Sequence, residues 1–250
     1  MAKSLRRILI LTKRNLKEIV RDPLSLVFTI LLPLFMEILF YFLFRGKTDQ
    51  FDMKYLAPGI VAFAQSFIAL FTGILISVDR STSFLTRLYV SETRSFEFIF
   101  SYALAVLPIS LVQAVLFFVV GGIIDTSIFC LGMLAAIPLS LVTALFFIAF
   151  GILLGAVCNE KAIGGVASVV ISGQSLLSGM WFPKEGLNPV MVKVMDILPF
   201  KNTAVLIQNP VTGIANAWTD FFLPLLIVIA YAALIFAVAI LAFSRKMKQN

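Results

Sequence analysis

Histidine is absent from this sequence, and cysteine occurs only twice among its 250 residues. The chain therefore lacks the side chain that enzymes use most often as a general base and that proteins commonly use as a metal ligand. Neither Cys130 nor Cys158 has a metal-ligand partner beside it, and no pair of carboxylates recurs on one helix face within an apolar stretch. We expect no catalytic residue and no metal site, which disfavours an enzyme.

Charge is also scarce, since 13% of the residues are charged and 60% are hydrophobic. Six apolar stretches fill most of the chain, and Glu37 is the only formal charge inside them. They cover residues 24–44, 55–78, 98–121, 131–157, 162–181 and 221–243. Each has about the 20 residues that a helix needs to cross a bilayer. Because backbone groups in lipid must be satisfied within the segment, we predict an all-α, polytopic membrane protein with six transmembrane helices in one domain, residues 1–250.

The net charge of +7 is concentrated in particular connections. Seven cations precede the first stretch, three lie between the second and third, one lies between the fourth and fifth, and three follow the last. Fourteen of the twenty cations thus fall on one side of the membrane, which the positive-inside rule makes the cytoplasm. We predict a multi-pass protein of the plasma or inner membrane with both termini cytoplasmic. Because membrane topology accounts for where the cations lie, the positive net charge gives no reason to expect a nucleic-acid partner.

The segment before the first stretch is basic and amphipathic. Residues 3–22 place apolar side chains at helical spacing among seven cations, which predicts a helix lying on anionic membrane lipids. The Arg21-Asp22-Pro23 sequence ends this interfacial helix before the first span. The alternative is a basic tail that only sets the topology.

Two further connections have their own pattern. Residues 81–94 mix charges with apolar and aromatic side chains, which predicts a short cytoplasmic helix that docks on a soluble partner, or otherwise a solvated loop. The candidate docking residues are Ser83, Phe84, Arg87, Leu88, Tyr89, Glu92 and Arg94. Residues 188–207 contain apolar pieces too short to span and several prolines, which indicates short re-entrant helices on the outer side.

Polar side chains inside the apolar stretches are candidates for a substrate pathway. An isolated charge such as Glu37 is costly in lipid unless it is paired, protonated or facing a wet cavity. The candidate pathway residues are Glu37, Gln65, Gln174, Ser178 and Trp181. For each residue taken singly, packing between helices is the alternative role.

Nucleotide binding by this chain is not expected. Residues 45–48, Arg-Gly-Lys-Thr, end like a phosphate-binding loop, but Tyr41 stands where that motif requires a glycine. The tetrapeptide also follows a membrane helix rather than a strand. Any cofactor such as ATP must therefore be handled by another chain.

Several motifs together resemble a known family. They are Arg21-Asp22-Pro23, Arg87-Leu88-Tyr89-Val90-Ser91, Leu177-Ser178-Gly179-Met180-Trp181-Phe182-Pro183, Leu198-Pro199-Phe200 and Thr203-Ala204. The chain is similar over nearly its whole length to ABC type-2 exporter membrane subunits, the ABC transporter permeases. The turn at residues 178–183 looks most like the drug and antibiotic exporter branch.

This resemblance implies a working mechanism. Residues 81–94 would be the coupling helix, a separate cognate ABC ATPase would bind ATP and Mg²⁺, and a second permease chain would complete a homodimer or heterodimer. The exported substrate would be hydrophobic or amphiphilic: a drug, antibiotic, lipid or glycolipid. One departure is Asp79-Arg80-Ser81 where many relatives carry a Glu-Arg-Glu cluster. The competing classes are an ATP-independent membrane immunity or signalling factor and a secondary carrier.

Overall fold

The computed structural model describes residues 2–81, 94–181 and 187–249. Within these ranges all regular structure is helical, so the all-α prediction is confirmed for them. The α-helices are α1 (Ala2–Val20), α2 (Pro23–Phe44), α3 (Met53–Ser81), α4 (Ser95–Ile124), α5 (Leu131–Val157), α6 (Glu160–Leu177), α7 (Pro189–Ile197), α8 (Pro199–Thr212) and α9 (Leu223–Gln249). Short 3₁₀ turns occupy Asp49–Phe51 and Thr126–Ile128, and a π-helical turn occupies Trp218–Phe222.

Within the described ranges, five helical segments are long and apolar enough to cross a membrane. They are Leu26–Phe44, Met53–Ser81, Ser95–Ile124, Leu131–Val157 and Trp218–Arg245. Helix α6 is not among the five, because its 18 residues begin with the charged Glu160 and Lys161, which lower its mean hydropathy. At about 1.5 Å per residue it would extend about 27 Å, slightly less than a bilayer core. The sixth span therefore remains a prediction.

The helix ends differ from the ends of the apolar stretches. Helix α6 stops at Leu177, before the predicted end at 181, because Gly179 adopts a left-handed φ of +76° that turns the chain. Helices α3 and α4 continue past their apolar stretches through polar residues at the α1 end of the bundle. Residues 188–207, predicted as re-entrant helices, form α7 and α8, and α8 continues to Thr212.

Helix α3 lies at the centre of the bundle, where it contacts α2, α4, α5, α6 and α8. Its contact with α5 is close because Gly151 and Gly155 present no side chain. A Cβ atom at Gly151 would lie 2.5 Å from the carbonyl oxygen of Ala69, and one at Gly155 would lie 2.7 Å from Cβ of Ile76. This small-residue spacing is what allows two membrane helices to approach closely.

Helices α2 and α9 are peripheral. Only 22% of the apolar segment in α2 is buried within the chain, and only 17% of the apolar segment that contains α9. Their exposed side chains are mostly large and apolar, including Phe28, Phe35, Leu226 and Leu234. Such surfaces face lipid or another membrane helix rather than water.

Candidate functional site

The polar cluster at the α1 end of the bundle joins four helices. Helix α1 packs against α4, which buries Asn15 and Ile19 of its inner face. Beside them, Nη1 and Nη2 of Arg14 each donate a 2.6 Å hydrogen bond to the carboxylate of Asp79, in the last turns of α3. The hydroxyl of Tyr102, on α4, donates to the same carboxylate. Asp79 is buried, and two-pronged guanidinium–carboxylate pairs combine strength with fixed geometry.

The electrostatics of this cluster favour a permanently charged Arg14. Burial disfavours its charged guanidinium, but the hydrogen bonds and negative charge of Asp79 outweigh burial, so the pKa of Arg14 is raised. Glu18 lies one turn further along α1, 2.8 Å from Nη2 of Arg14. Burial and the charge of Asp79 raise the pKa of Glu18, although Arg14 opposes the change. The guanidinium thus binds two carboxylates that repel each other.

Arg80, the neighbour of Asp79, connects α3 to α5. Its Nη1 donates to the carbonyl oxygens of Gly155, at 2.5 Å, and Cys158, at 3.0 Å. These carbonyls belong to the last turn of α5 and its C-cap, where helical partners run out. The end of α3 is therefore fixed to α1 through Asp79 and to α5 through Arg80.

The start of α4 is fixed to α1 as well. The carboxylate of Glu97 accepts a 3.1 Å hydrogen bond from the backbone N–H of Arg94 and lies 3.9 Å from Nη1 of Arg7. One turn further along α4, Oγ of Ser101 accepts a 3.2 Å hydrogen bond from Nδ2 of Asn15. Both described ends of the chain that flank residues 82–93 are thus attached to α1.

The predicted docking residues have a mixed status. Arg94 is the N-cap residue of α4 and is described. The other six, Ser83, Phe84, Arg87, Leu88, Tyr89 and Glu92, lie outside the described residues. Their role stays a prediction, although the helices from which they depart and to which they return are known.

Sequence reasoning missed Arg14, Asp79 and Tyr102 as a unit. The available signal was an acidic residue directly after a long apolar stretch, opposite an arginine-rich amphipathic helix. Because helical periodicity does not say which face of α1 meets α3, this signal could not select Arg14 among seven cations.

Among the candidate pathway residues, Glu37 is fully buried in the half of α2 far from α1. Its carboxylate lies against Gly121 of α4, where a Cβ atom would be 3.0 Å from Oε1 of Glu37. Neither carboxylate oxygen has a hydrogen-bond partner within the described ranges. A buried carboxylate without a partner is rare in membrane helices, so Glu37 stays a functional candidate although it packs inside one protomer.

Gln65 makes two hydrogen bonds between α3 and α5. Its Nε2 donates to the carbonyl oxygen of Ser140 at 2.7 Å, and its Oε1 accepts from Oγ1 of Thr143 at 2.7 Å. Interhelical hydrogen bonds of this kind hold membrane helices together. In this conformation Gln65 joins helices rather than lining an open route.

Gln174, Ser178 and Trp181 lie together, in α6 and the turn that follows it. Oε1 of Gln174 accepts a 3.4 Å hydrogen bond from Oγ1 of Thr203, while its buried Nε2 has no partner within the part of the chain that the structure describes. The ring of Trp181 packs 4.5 Å from that of Phe40, centroid to centroid, and Phe40 follows Glu37 by less than one turn of α2. Of these three residues, the structure shows Trp181 in contact with α2 and Gln174 in contact with α8.

The helical architecture and the five membrane-length apolar helices define a multi-pass membrane protein. Residues 6–209 match the sequence model of a family described as ABC-2 type transporter. Because this match covers most of the chain, the protein belongs to the ABC-2 type transporter family, whose members are membrane permease subunits of ABC transporters. A comparison with curated proteins found no match.

Proposed function

We propose that this chain is the permease of an ATP-driven exporter and that residues 81–94 dock on a separate ABC ATPase. The observation that carries the proposal is the attachment of both ends of residues 82–93 to α1, through Asp79 on one side and Glu97 on the other. A force applied to this segment would move α1, α3 and α4 together. The basic face of α1 supports a cytoplasmic position for this end.

The mechanism requires the ATPase to bind two arrangements of the permease with different affinity. A shift of the permease from 1:99 to 99:1 needs about 5.5 kcal/mol of differential binding. A rigid connection at the docking site lets a soluble partner shift the equilibrium between the two arrangements of the membrane helices. A loosely attached segment would move alone and would not shift it. Arg14, Asp79 and Tyr102 supply that connection.

A hydrophobic or amphiphilic substrate is supported by a groove between α2 and α3. Its volume is about 270 Å³. It is lined by Leu24, Phe28, Thr29, Phe67, Leu70, Phe71 and Ile74, of which only Thr29 is polar. A groove of this composition accepts the apolar part of a drug, antibiotic, lipid or glycolipid taken from the inner leaflet.

A second permease chain is supported by the outward face of α6. This helix is not among the five apolar spans, yet it exposes Gly164, Gly165, Ser168 and Ser172. Nothing described lies within 4 Å of a Cβ atom built at either glycine. Small residues on a membrane helix let another helix approach, so we assign this face to the contact within a homodimer or heterodimer.

The docking proposal is tested by photo-crosslinking in native membranes. A photoreactive phenylalanine derivative replaces Tyr89, within the predicted docking segment, or Tyr55, an exposed tyrosine at the opposite end of α3. We expect the probe at position 89 to form an adduct with an ATP-binding protein and the probe at position 55 to form none. An adduct of position 89 with a protein that binds no ATP would instead favour the membrane immunity or signalling factor.

A further inference from the structure

A second polar cluster lies at the end of the bundle opposite α1. It forms a pocket of about 440 Å³ between α7, α8 and the start of α9, which we call the α8 pocket. The pocket is lined by polar Asp196, Lys201, Asn209 and Asp220 and by apolar Val205 and Leu223, among others. Its position is fixed by Gln208, whose Nε2 donates a 2.9 Å hydrogen bond to the carbonyl oxygen of Tyr55 in the first turn of α3.

One face of α8 and the π-helical turn before α9 form the walls of the pocket. Lys201, Val205 and Asn209 recur every four residues and so share one face of α8. Nδ2 of Asn209 donates a 2.8 Å hydrogen bond to the carbonyl oxygen of Asp220, which ties α8 to the π-helical turn before α9. Single π-helical turns occur frequently at functional sites. The pocket thus has a helix as one wall and a fixed turn as the other.

Its charges are of both signs. Lys201 forms an ion pair with Asp196, and the side chain of Lys201 is 11% exposed while that of Asp196 is 49% exposed. The carboxylate of Asp220 accepts hydrogen bonds from the backbone N–H groups of Ala215 and Asn216, at 3.1 and 2.9 Å. The pocket therefore offers an accessible carboxylate beside a mostly buried ammonium, and carboxylates outnumber the cation.

The pocket lies at the start of an apolar span, where the boundary between lipid tails and headgroups is expected. Leu223 begins the long apolar helix α9, whereas residues 213–217 before the π-helical turn are exposed and mostly small or polar. Trp218, in that turn, is 61% exposed. Exposed tryptophans next to a membrane span are typical of the headgroup level. A ligand in the α8 pocket would have polar surroundings on one side and apolar surroundings on the other.

We propose that the α8 pocket binds a zwitterionic headgroup with a primary ammonium and a phosphate, as in an aminophospholipid. The ammonium pairs with Asp196, the phosphate pairs with Lys201, and the apolar part lies along Leu223. The two groups of the headgroup replace the internal ion pair with two charge-assisted contacts. This site goes beyond the proposed ATP-driven transport, since it needs no ATPase. Two sources can supply this headgroup, the surrounding bilayer and an exported amphiphile, and the experiment below distinguishes them.

The test is native mass spectrometry of the whole chain after reconstitution with equal amounts of phosphatidylethanolamine, phosphatidylcholine and phosphatidylglycerol. We expect preferential retention of phosphatidylethanolamine, because the choline ammonium has no N–H to donate and the glycerol headgroup has no amine. Asp196→Asn and Lys201→Met should each weaken that preference by roughly tenfold. The matched controls Asp49→Asn and Lys193→Met change exposed charges outside the pocket lining and should retain it.

The lipid-retention experiment can contradict the proposal in two ways. Equal retention of the three lipids, or a preference unchanged in both pocket variants, would overturn the proposal. Lys201→Arg keeps the charge and should keep the preference, which guards against a variant that fails to fold. If the headgroup belongs to cargo, phosphatidylethanolamine should also stimulate ATP hydrolysis of the assembled transporter. If it belongs to a resident lipid, retention should persist without stimulation.

Discussion

Arg14 and Asp79 are 65 residues apart in the chain, yet two hydrogen bonds of 2.6 Å join their side chains and tie α1 to the end of α3. The side chain of Asp79 is 4% exposed and that of Arg14 is 30% exposed, so the pair lies at the edge of the protein interior. Tyr102 completes the coordination of the carboxylate from α4. In the proposed mechanism, this pair couples α1 to the end of α3 that precedes residues 82–93.

Removal of Arg14 should destabilise the protein. Arg14→Ala removes the guanidinium from the buried carboxylate of Asp79, which we expect to lower the free energy of unfolding by about 2–3 kcal/mol. Thermal unfolding of the purified protein, followed by intrinsic fluorescence, measures the change. Lys13→Ala, at the exposed neighbouring position, should stay within about 0.5 kcal/mol of the parent. Equal melting temperatures of the two variants would contradict the structural role of the pair.

Glu18 should lower stability at neutral pH. Burial and the charge of Asp79 raise the pKa of Glu18 in the folded protein, so the folded state prefers the protonated carboxyl. The resulting stabilisation is present below the unfolded pKa, near 4.5, and is lost as the pH rises through the higher folded pKa. Glu18→Gln should therefore melt at a higher temperature than the parent at pH 7, with the gain disappearing as the medium is acidified toward pH 4. A variant less stable than the parent at pH 7 would refute this.

Asp125 should show the opposite pH dependence. The backbone N–H and side chain of Ser127 lower the pKa of Asp125, with a smaller contribution from the hydroxyl of Tyr41. Its stabilisation is present above the unfolded pKa, near 3.8, and is lost as the pH falls through the lower folded pKa. Asp125→Asn should therefore melt below the parent at pH 7, and the two curves should converge in acid. A difference that is independent of pH would show that the carboxylate charge is not responsible.

The contact between α3 and α5 should not tolerate a methyl group. Gly151→Ala places a Cβ atom 2.5 Å from the carbonyl oxygen of Ala69, which we expect to lower stability by about 1–3 kcal/mol. The matched control is Gly165→Ala, on the face of α6 that is open within one protomer, measured in detergent under conditions that keep the protein monomeric. It should be neutral or stabilise the protomer, because alanine favours helix over glycine by up to about 1 kcal/mol. The melting temperatures of the two variants should therefore move in different directions. Equal changes would show that the close approach of α3 and α5 is unimportant.

Sequence patterns predicted the helices better than their contacts. Apolar length is a local property, so it identified five helices that the structure also shows to be of membrane length. The structure places Gly151 and Gly155 of α5 against α3, and hydropathy alone does not identify that partner. The sequence places Asp79 in a cytoplasmic connection. In the structure, α3 extends through Asp79, and the Asp79 side chain is buried against α1. Its hydrogen-bond partner Arg14 is distant in sequence, so no local pattern reveals this pairing.

Glu37 illustrates the same limit within the membrane. Its isolation in an apolar stretch marked it as unusual, and the structure shows that both carboxylate oxygens are buried without a hydrogen-bond partner within the described ranges. The neighbouring surface of Gly121 could not be predicted, because helix rotation is set by packing rather than by hydropathy. The sequence identified the residue but not its surroundings.

The central claim is that residues 81–94 dock on an ABC ATPase, and affinity purification from native membranes tests it most directly. Three forms are compared by quantitative mass spectrometry: the parent, Arg87→Glu in the docking segment, and Arg45→Glu at the exposed end of α2. We predict that an ATP-binding subunit co-purifies stoichiometrically with the parent and Arg45→Glu and is lost from Arg87→Glu. Equal recovery of that subunit with all three forms would contradict the docking assignment, and its absence from all three would contradict the exporter itself.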